Sequence, residues 1–184
     1  RVSTALSSVE TLKAELPEFA KDIKLNLGST LGATANALLT PAQRWGVALA
    51  CAVASREAGV LAAISADASA VLSGAEVDAV KGAAAIMSMN NVYYRSVHQL
   101  GEEYESLPAR LRMQIIAKHG ADPVDFELWC LAVSAVNGCD RCLRSHADVL
   151  RNKGIEKEAI QEAVRIAAVI HAAAVVIEGE SVPI

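Results

Sequence analysis

Aromatic side chains are scarce in this sequence, which has two Trp, three Tyr and two Phe among 184 residues. The apolar fraction is nevertheless 53% and consists mainly of Ala, Val, Leu and Ile. That mixture favours close-packed helices over a β-sandwich. Charged residues make up 21%, so the chain is globular and not disordered. Its length suits a single domain with a core of its own.

Basic runs and long apolar runs are also missing. A net charge of −4 without any basic run argues against nucleic acid as a partner. The longest apolar run, 166–177, has 12 residues and includes His171, so we expect no membrane span. Glu10, Lys13 and Glu15 interrupt any signal-like apolar stretch near the N-terminus. We therefore expect a cytoplasmic location.

Cysteine is sparse as well, and four residues do not make the disulfide framework of a small secreted protein. Cys51 and Cys130 stand alone in apolar segments and are predicted to be buried small hydrophobes. Cys139 and Cys142 form a Cys-x-x-Cys motif, which can close a disulfide across one helical turn. His146 follows Cys142 by four residues, so both lie on one helix face.

A thiol beside an imidazole is a common way to make a thiolate, because a nearby positive charge or a helix N-terminus lowers the thiol pKa. Glu127, twelve residues before Cys139, can supply a carboxylate to the same place. The stretch 126–150 therefore predicts a redox dithiol with its own acid–base partner.

Capping signals and 3.6-residue periodicity predict helices along the whole chain, and no stretch alternates convincingly as a strand. Capping boxes are predicted from Ser7 to Glu10, from Thr40 to Gln43 and from Ser73 to Glu76. Asn137-Gly138 is interpreted as a turn between helices and not as a hairpin, with the dithiol near the start of the following helix. Gly82, before three alanines, suggests a close approach of two helices. The predicted helices span about 8–16, 17–28, 41–55, 57–72, 74–94, 109–118, 123–136, 139–153 and 155–178, with loops at 28–40 and 101–108.

A weak internal repeat accompanies these helices. Trp45 and Trp129 are 84 residues apart, and each precedes an Ala-rich helix, a break, a second helix and a long third one. The same offset aligns Ser55 with Cys139. The sequence thus predicts one all-helical domain over 1–184, with an inactive first unit at about 40–97 and an active second unit at about 122–178.

Other interpretations of the site stay open at this point. Cys139, Cys142, His146 and Glu127 could hold zinc, although structural zinc sites more often use two separated ligand pairs. Haem attachment requires His directly after the second Cys, where this chain has Leu143. A thioredoxin-like protein requires βαβ patterning, which is absent. Separately, Glu127 could be a helix-terminal charge and His146 a surface residue.

Several longer strings resemble the alkylhydroperoxidase D family of bacteria. The similarity covers nearly the whole chain. The matching strings are Phe126-Glu127-Leu128-Trp129, Ser134-Ala135-Val136-Asn137-Gly138-Cys139, Cys142-x-x-x-His146, Leu16-Pro17-Glu18, Lys21-Asp22-Ile23-Lys24-Leu25-Asn26-Leu27, Ala84-Ala85-Ile86-Met87, Met89-Asn90-Asn91-Val92 and Leu111-Arg112-Met113.

The resemblance implies an all-helical fold of the carboxymuconolactone decarboxylase-like superfamily, usually a homotrimer. It also implies an antioxidant peroxidase that reduces hydroperoxides with its own thiols and binds no cofactor. A lipoyl-bearing acyltransferase would be the reductant, and a peroxiredoxin could be a further partner. The alternatives are a non-enzymatic zinc-binding helical protein and a general disulfide oxidoreductase.

Position by position, the resemblance implies that Cys142 is the peroxidatic thiol and Cys139 the resolving, proton-donating thiol. Glu127 and His146 would form the relay that deprotonates Cys142. The family often has His just before the second Cys, where this chain has Arg141. Because Arg stays protonated, Arg141 is expected to assist by its charge and not to carry a proton.

Overall fold

The computed structural model describes residues 6–33 and 35–182. Its described residues form α-helices and two short 3₁₀ turns without any β-strand, which confirms the predicted all-α class. The helices are α1 Val9–Glu15, α2 Lys21–Leu31, α3 Pro41–Ser55, α4 Ala58–Ala68, α5 Gly74–Leu100, α6 Glu102–Glu105, α7 Pro123–Val136, α8 Asp140–Asn152 and α9 Lys157–Ser181.

Three helix starts follow from the local sequence. Thr40 and Ser73 each accept a hydrogen bond from the backbone three residues later, and the side chains of Gln43 and Glu76 return the bond. Asp122 caps α7 by accepting from two backbone amides. These caps satisfy amides that have no partner inside the helix. The predicted starts of α3, α5 and α7 are confirmed.

The predictions for the first 40 residues are partly wrong. The capping box of α1 joins Ser8 to Thr11, one residue later than predicted, because Ser8 has the extended backbone of an N-cap. Pro17 does not open a helix but precedes the 3₁₀ turn Glu18–Ala20, which turns Phe19 outwards and leaves it 76% exposed. Helix α2 continues through Gly28 to Leu31, and the Gly28 carbonyl accepts a hydrogen bond from the Gly32 amide. The loop predicted at 28–40 therefore begins later than predicted.

Later boundaries also differ from the predictions. Helix α4 ends four residues early, at Ala68, α5 continues six residues further, to Leu100, and α9 runs from Lys157 to Ser181. The connection after α5 contains the one-turn helix α6. The helix predicted at 109–118 is absent apart from the 3₁₀ turn Gln114–Ile116, because Arg110 has a left-handed backbone with φ of 51°. A residue in that conformation cannot continue a right-handed helix.

The core forms where α3, α5 and α9 pack around α7. Trp129 on α7 is fully buried against α3 at Gly46. A Cβ at Gly46 would lie 2.8 Å from Trp129 Cζ2 and closer still to Nε1, so only glycine fits there. Gly82 itself does not lie at a helix crossing, since a Cβ there would meet the Ile115 side chain of a 3₁₀ turn at 3.2 Å. The next two residues of the predicted stretch, Ala83 and Ala84, are buried on α5, which packs against α3 and α7.

Helix α9 contributes buried side chains along much of its length, including Ala163, Ile166 and Ile170. By length and composition alone it is apolar enough to cross a membrane, although core helices pass the same test. It packs against α2, α3, α4 and α7. Helices α3–α5 and α7–α9 each consist of two shorter helices followed by a long one, with 15, 11 and 27 residues in the first set and 14, 13 and 25 in the second. The duplicated unit stays a prediction.

Candidate functional site

The two cysteines of the motif lie where α7 turns into α8. Gly138 has φ of 66°, and the Cys139 amide bonds back to the carbonyl of Ser134 on α7. Cys139 is the N-cap of α8, and its Sγ accepts from the Cys142 amide at 3.3 Å. The thiols are joined in a disulfide with Cα atoms 5.3 Å apart. The turn and the helix start agree with the predicted geometry, and the redox role of the pair stays a prediction.

Beside the disulfide lies a pocket of about 310 Å³. Cys142 lines the pocket and is 7% exposed, whereas Cys139 is fully buried and does not line it. A small molecule entering the pocket therefore meets Cys142 and not Cys139. Sulfur, aromatic and aliphatic side chains dominate the wall. The lining residues are Met87, Asn90, Tyr94, Met113, Ile116, Arg141, Cys142, Ser145 and His146.

The imidazole of His146 is held between two neighbouring helices. Its Nδ1 lies 2.6 Å from Glu127 Oε2 on α7, and its Nε2 lies 3.3 Å from Met87 Sδ on α5. The carboxylate can only accept, so Nδ1 carries the hydrogen of that bond. The side chains of His146 and Glu127 are only 15% and 20% exposed. The predicted acid–base pair is therefore brought together, and Met87 is an additional neighbour.

Arg141 lies in the wall of the pocket and forms an ion pair with the last residue of α6. Its Nη1 lies 2.5 Å from Glu105 Oε2, and its guanidinium carbon is 5.8 Å from the centroid of the Tyr94 ring. Glu105 also bonds to His98 at 2.7 Å. The hydrogen bond with His98 and the charge of Arg141 hold the pKa of the Glu105 carboxyl below its usual range. The positive charge of Arg141 is therefore largely compensated, which its sequence position did not reveal.

A buried polar chain ties α5 to the turn before the disulfide. Asn91 Nδ2 donates to Ser134 Oγ at 2.8 Å, and Asn137 Nδ2 donates to Asn91 Oδ1 at 3.0 Å. Arg95 donates to the backbone carbonyl of Asn137. Sequence reasoning missed these residues as part of the site. The signal was present in Asn90-Asn91, two adjacent amides in a helix whose neighbouring turns are apolar.

The remaining cysteines lie away from the pocket. Cys51 and Cys130 are free and buried, as predicted. Burial raises the pKa of both thiols far above the usual range, and the charge of Glu127 adds to the effect at Cys130. Buried thiols in apolar surroundings are inert. Among the residues described, no group of three or more His, Cys, Asp or Glu side chains is arranged to hold a metal ion.

Comparison with known proteins adds a second line of evidence. Residues 102–179, which contain α6, α7, α8 and all but the last two residues of α9, match the carboxymuconolactone decarboxylase family. A protein of Streptomyces griseus is 52% identical over 95% of this chain and 98% of its own length. A protein of Solibacter usitatus is 49% identical over 96% of this chain and 98% of its own length. A protein of Rhodospirillum centenum is 52% identical over 95% of this chain and 92% of its own length.

Each of these three relatives is named alkyl hydroperoxide reductase AhpD. Their similarity extends through the N-terminal half as well as the region matched by the family model. The resemblance expected from the sequence motifs is thus confirmed. Since about half of all residues are identical over nearly the full length of both chains, this protein belongs to the alkyl hydroperoxide reductase AhpD family.

Proposed function

We infer that this protein is an alkyl hydroperoxide reductase that uses Cys139 and Cys142 as a redox dithiol. One observation carries the proposal: the disulfide opens onto a pocket beside the hydrogen-bonded pair His146–Glu127. A thiol, a proton carrier and a mostly apolar cavity are the parts that reduction of an organic hydroperoxide requires.

In the first step the Cys142 thiolate attacks the terminal oxygen of the hydroperoxide. The S–O bond forms as the O–O bond breaks, so sulfur is oxidised to a sulfenic acid and the peroxide is reduced. The leaving alkoxide takes a proton and departs as an alcohol. Cys142 is the better candidate for this attack because it lines the pocket, whereas Cys139 does not.

In the second step the Cys139 sulfur attacks the sulfenic sulfur of Cys142. A disulfide forms, and the hydroxyl leaves as water after gaining a proton. Cys139 suits this role because its sulfur caps α8 and already accepts an amide hydrogen bond. The helix N-terminus favours negative charge on that sulfur. An external dithiol then returns both cysteines to the reduced state.

His146 and Glu127 form the proposed proton relay. His146 takes the proton of the Cys142 thiol and returns one to the alkoxide, while Glu127 fixes the ring through Nδ1. The arrangement resembles other nucleophile–base sites in which a third group orients the base. Arg141 does not move protons, and its bond to Glu105 limits the help that its charge gives.

The reductant is proposed to be the lipoyl group of a partner acyltransferase, whose dithiol matches the chemistry of the regeneration step. A partner peroxiredoxin, a cytoplasmic location and assembly as a homotrimer are proposed with it on the basis of family membership. No resident cofactor is needed, because the two thiols and the external dithiol account for all the electrons.

The proposal is tested by peroxide consumption with cumene hydroperoxide as oxidant and dihydrolipoamide as reductant. Multiple turnover is expected for the parent and none for Cys142→Ser. Cys139→Ser should react once and leave a sulfenic acid that dimedone traps at Cys142. Cys51→Ala, which removes a buried thiol outside the pocket, is the matched control and should keep its activity. A sulfenic acid trapped at Cys139 would exchange the two roles.

The same preparation separates the alternative functions. Faster turnover with a disulfide acceptor than with any hydroperoxide would make the protein a general disulfide oxidoreductase. Stoichiometric zinc in reduced protein purified without chelator, together with absence of peroxide turnover, would support a zinc-binding protein.

A further inference from the structure

Asn90 lies in the wall of the pocket but takes no part in the proposed thiol chemistry or in the proton relay. It is 4% exposed, and its Oδ1 has no hydrogen-bond partner among the described residues. It sits one helical turn after Met87, whose sulfur contacts His146 Nε2. Asn90 and the imidazole of His146 therefore face the same cavity from α5 and α8.

The neighbouring amide makes the contrast clear. Asn91 is fully buried too, yet both of its polar atoms are bonded, one to Ser134 and the other to Asn137. One further buried polar side-chain atom in the described part of the chain is unpartnered, Trp129 Nε1, and it is enclosed in the core beside Gly46. Of the two unpartnered groups, only Asn90 adjoins a cavity that a ligand can enter.

A buried acceptor without a partner destabilises the folded protein, typically by about 1–3 kcal/mol. A ligand with a hydrogen-bond donor recovers that free energy when it binds. An alkyl hydroperoxide carries one such donor, the O–H on its terminal oxygen, while its alkyl group suits the wall formed by Met113, Ile116 and Tyr94. A disulfide, the substrate of a general disulfide oxidoreductase, has no such donor.

We propose that Asn90 is the substrate-positioning residue of this pocket and binds the hydroperoxide group through its carboxamide. Oδ1 is enclosed by the protein in this structure. On binding, the carboxamide turns about the Cβ–Cγ bond so that Oδ1 accepts the O–H of the terminal oxygen, which holds that oxygen towards the Cys142 sulfur. The hydrogen stays on this oxygen during attack, because the oxygen becomes the hydroxyl of the sulfenic acid. The alkoxide on the other side of the broken O–O bond receives its proton from His146. Asn90 thus distinguishes hydroperoxides from disulfides.

The inference rests on the proposed function, and two oxidants separate their tests. Reduced protein is mixed rapidly either with cumene hydroperoxide or with 4,4′-dithiodipyridine, a disulfide that also reacts with the thiolate but has no O–H. The parent rate with the hydroperoxide tests the function itself, by comparison with a free thiol. The rate constant of Asn90→Leu divided by that of the parent, measured with each oxidant, tests the role of Asn90.

Asn90→Leu keeps the side-chain volume but removes the acceptor. We expect the rate constant with cumene hydroperoxide to fall about 10- to 100-fold, the usual effect of one hydrogen bond to a buried group. The rate with 4,4′-dithiodipyridine should stay within twofold. Asn90→Ser, which retains a hydroxyl acceptor, should recover part of the lost rate. The control Ser88→Ala, which removes an exposed hydroxyl from α5 outside the pocket, should leave both rates unchanged.

Thermal unfolding supplies an independent readout. A purely structural role for Asn90 predicts a lower Tm for Asn90→Leu, whereas removal of an unpartnered buried amide predicts an equal or higher Tm. If the leucine variant does not fold, Asn90→Ala carries the same rate comparison. Equal loss of rate with both oxidants, or no loss with the hydroperoxide, would overturn the proposal. A parent no faster than a free thiol would instead refute the proposed function.

Discussion

The relay makes its sharpest prediction at Glu127. Glu127→Gln keeps the size of the side chain and an oxygen that can accept from His146 Nδ1, which lies 2.6 Å from the carboxylate. What disappears is the negative charge that stabilises a protonated imidazole. Activity should therefore fall more than stability does.

The expected magnitude follows from the contact. A hydrogen bond to a charged group contributes about 1.5–3 kcal/mol and a neutral one about 0.5–1.5 kcal/mol. The difference of about 1–1.5 kcal/mol corresponds to a factor of about 5–12 in rate when it is lost from the transition state in which positive charge develops on the imidazole. Proton transfer by a less well stabilised imidazole lowers the rate further. The total loss cannot exceed the whole contribution of general acid–base catalysis, which is about 10²–10⁴-fold. We expect kcat/KM for hydroperoxide to fall about 10- to 100-fold.

Stability should change little, because His146 and Glu127 both retain some solvent contact. A loss of at most about 1 kcal/mol lowers Tm by about 2–4 °C in a chain of this length. Peroxide consumption and thermal unfolding are measured on the same samples, with Glu103→Gln as the exposed carboxylate control. Near-normal turnover of Glu127→Gln at neutral pH would refute the relay and leave Glu127 as a helix-terminal charge.

Three further predictions concern packing, pH and the motif itself. Gly46→Ala should lower the free energy of unfolding by about 1–3 kcal/mol, because the added Cβ overlaps the Trp129 ring. Gly179→Ala, where a Cβ meets open space, should raise the free energy of unfolding by about 0.5–1 kcal/mol, and thermal unfolding compares the two variants. Burial raises the pKa of Asp125, so its ionisation costs stability as pH rises through the folded-state pKa. Asp125→Asn should therefore raise Tm at pH 7, and the difference should vanish at acid pH, where the carboxyl is protonated in both folded and unfolded states. Arg141→Ala should slow alkylation of reduced Cys142 by no more than about fivefold, since its partner already compensates the charge, and Arg141→Lys should be nearly silent. A larger loss in Arg141→Ala would show that the charge acts on the thiol directly.

The sequence by itself determined the features that depend on near neighbours along the chain. The caps at Thr40, Ser73 and Asp122 were predictable because a cap joins a side chain to amides two or three residues away. The position of Cys139 and Cys142 at the start of a helix was predictable for the same reason. Boundaries failed where no local signal decides, as at Arg110, whose left-handed backbone ends a pattern that otherwise favours helix.

Only the tertiary structure decided which distant side chains meet. Glu127 and His146 are 19 residues apart and pair because α7 and α8 pack side by side. Glu105 reaches Arg141 from a one-turn helix that was predicted as a polar connection. The unpartnered oxygen of Asn90 is likewise a property of its surroundings. Helix periodicity fixes which face a side chain occupies, but the partner of that face depends on how whole helices pack.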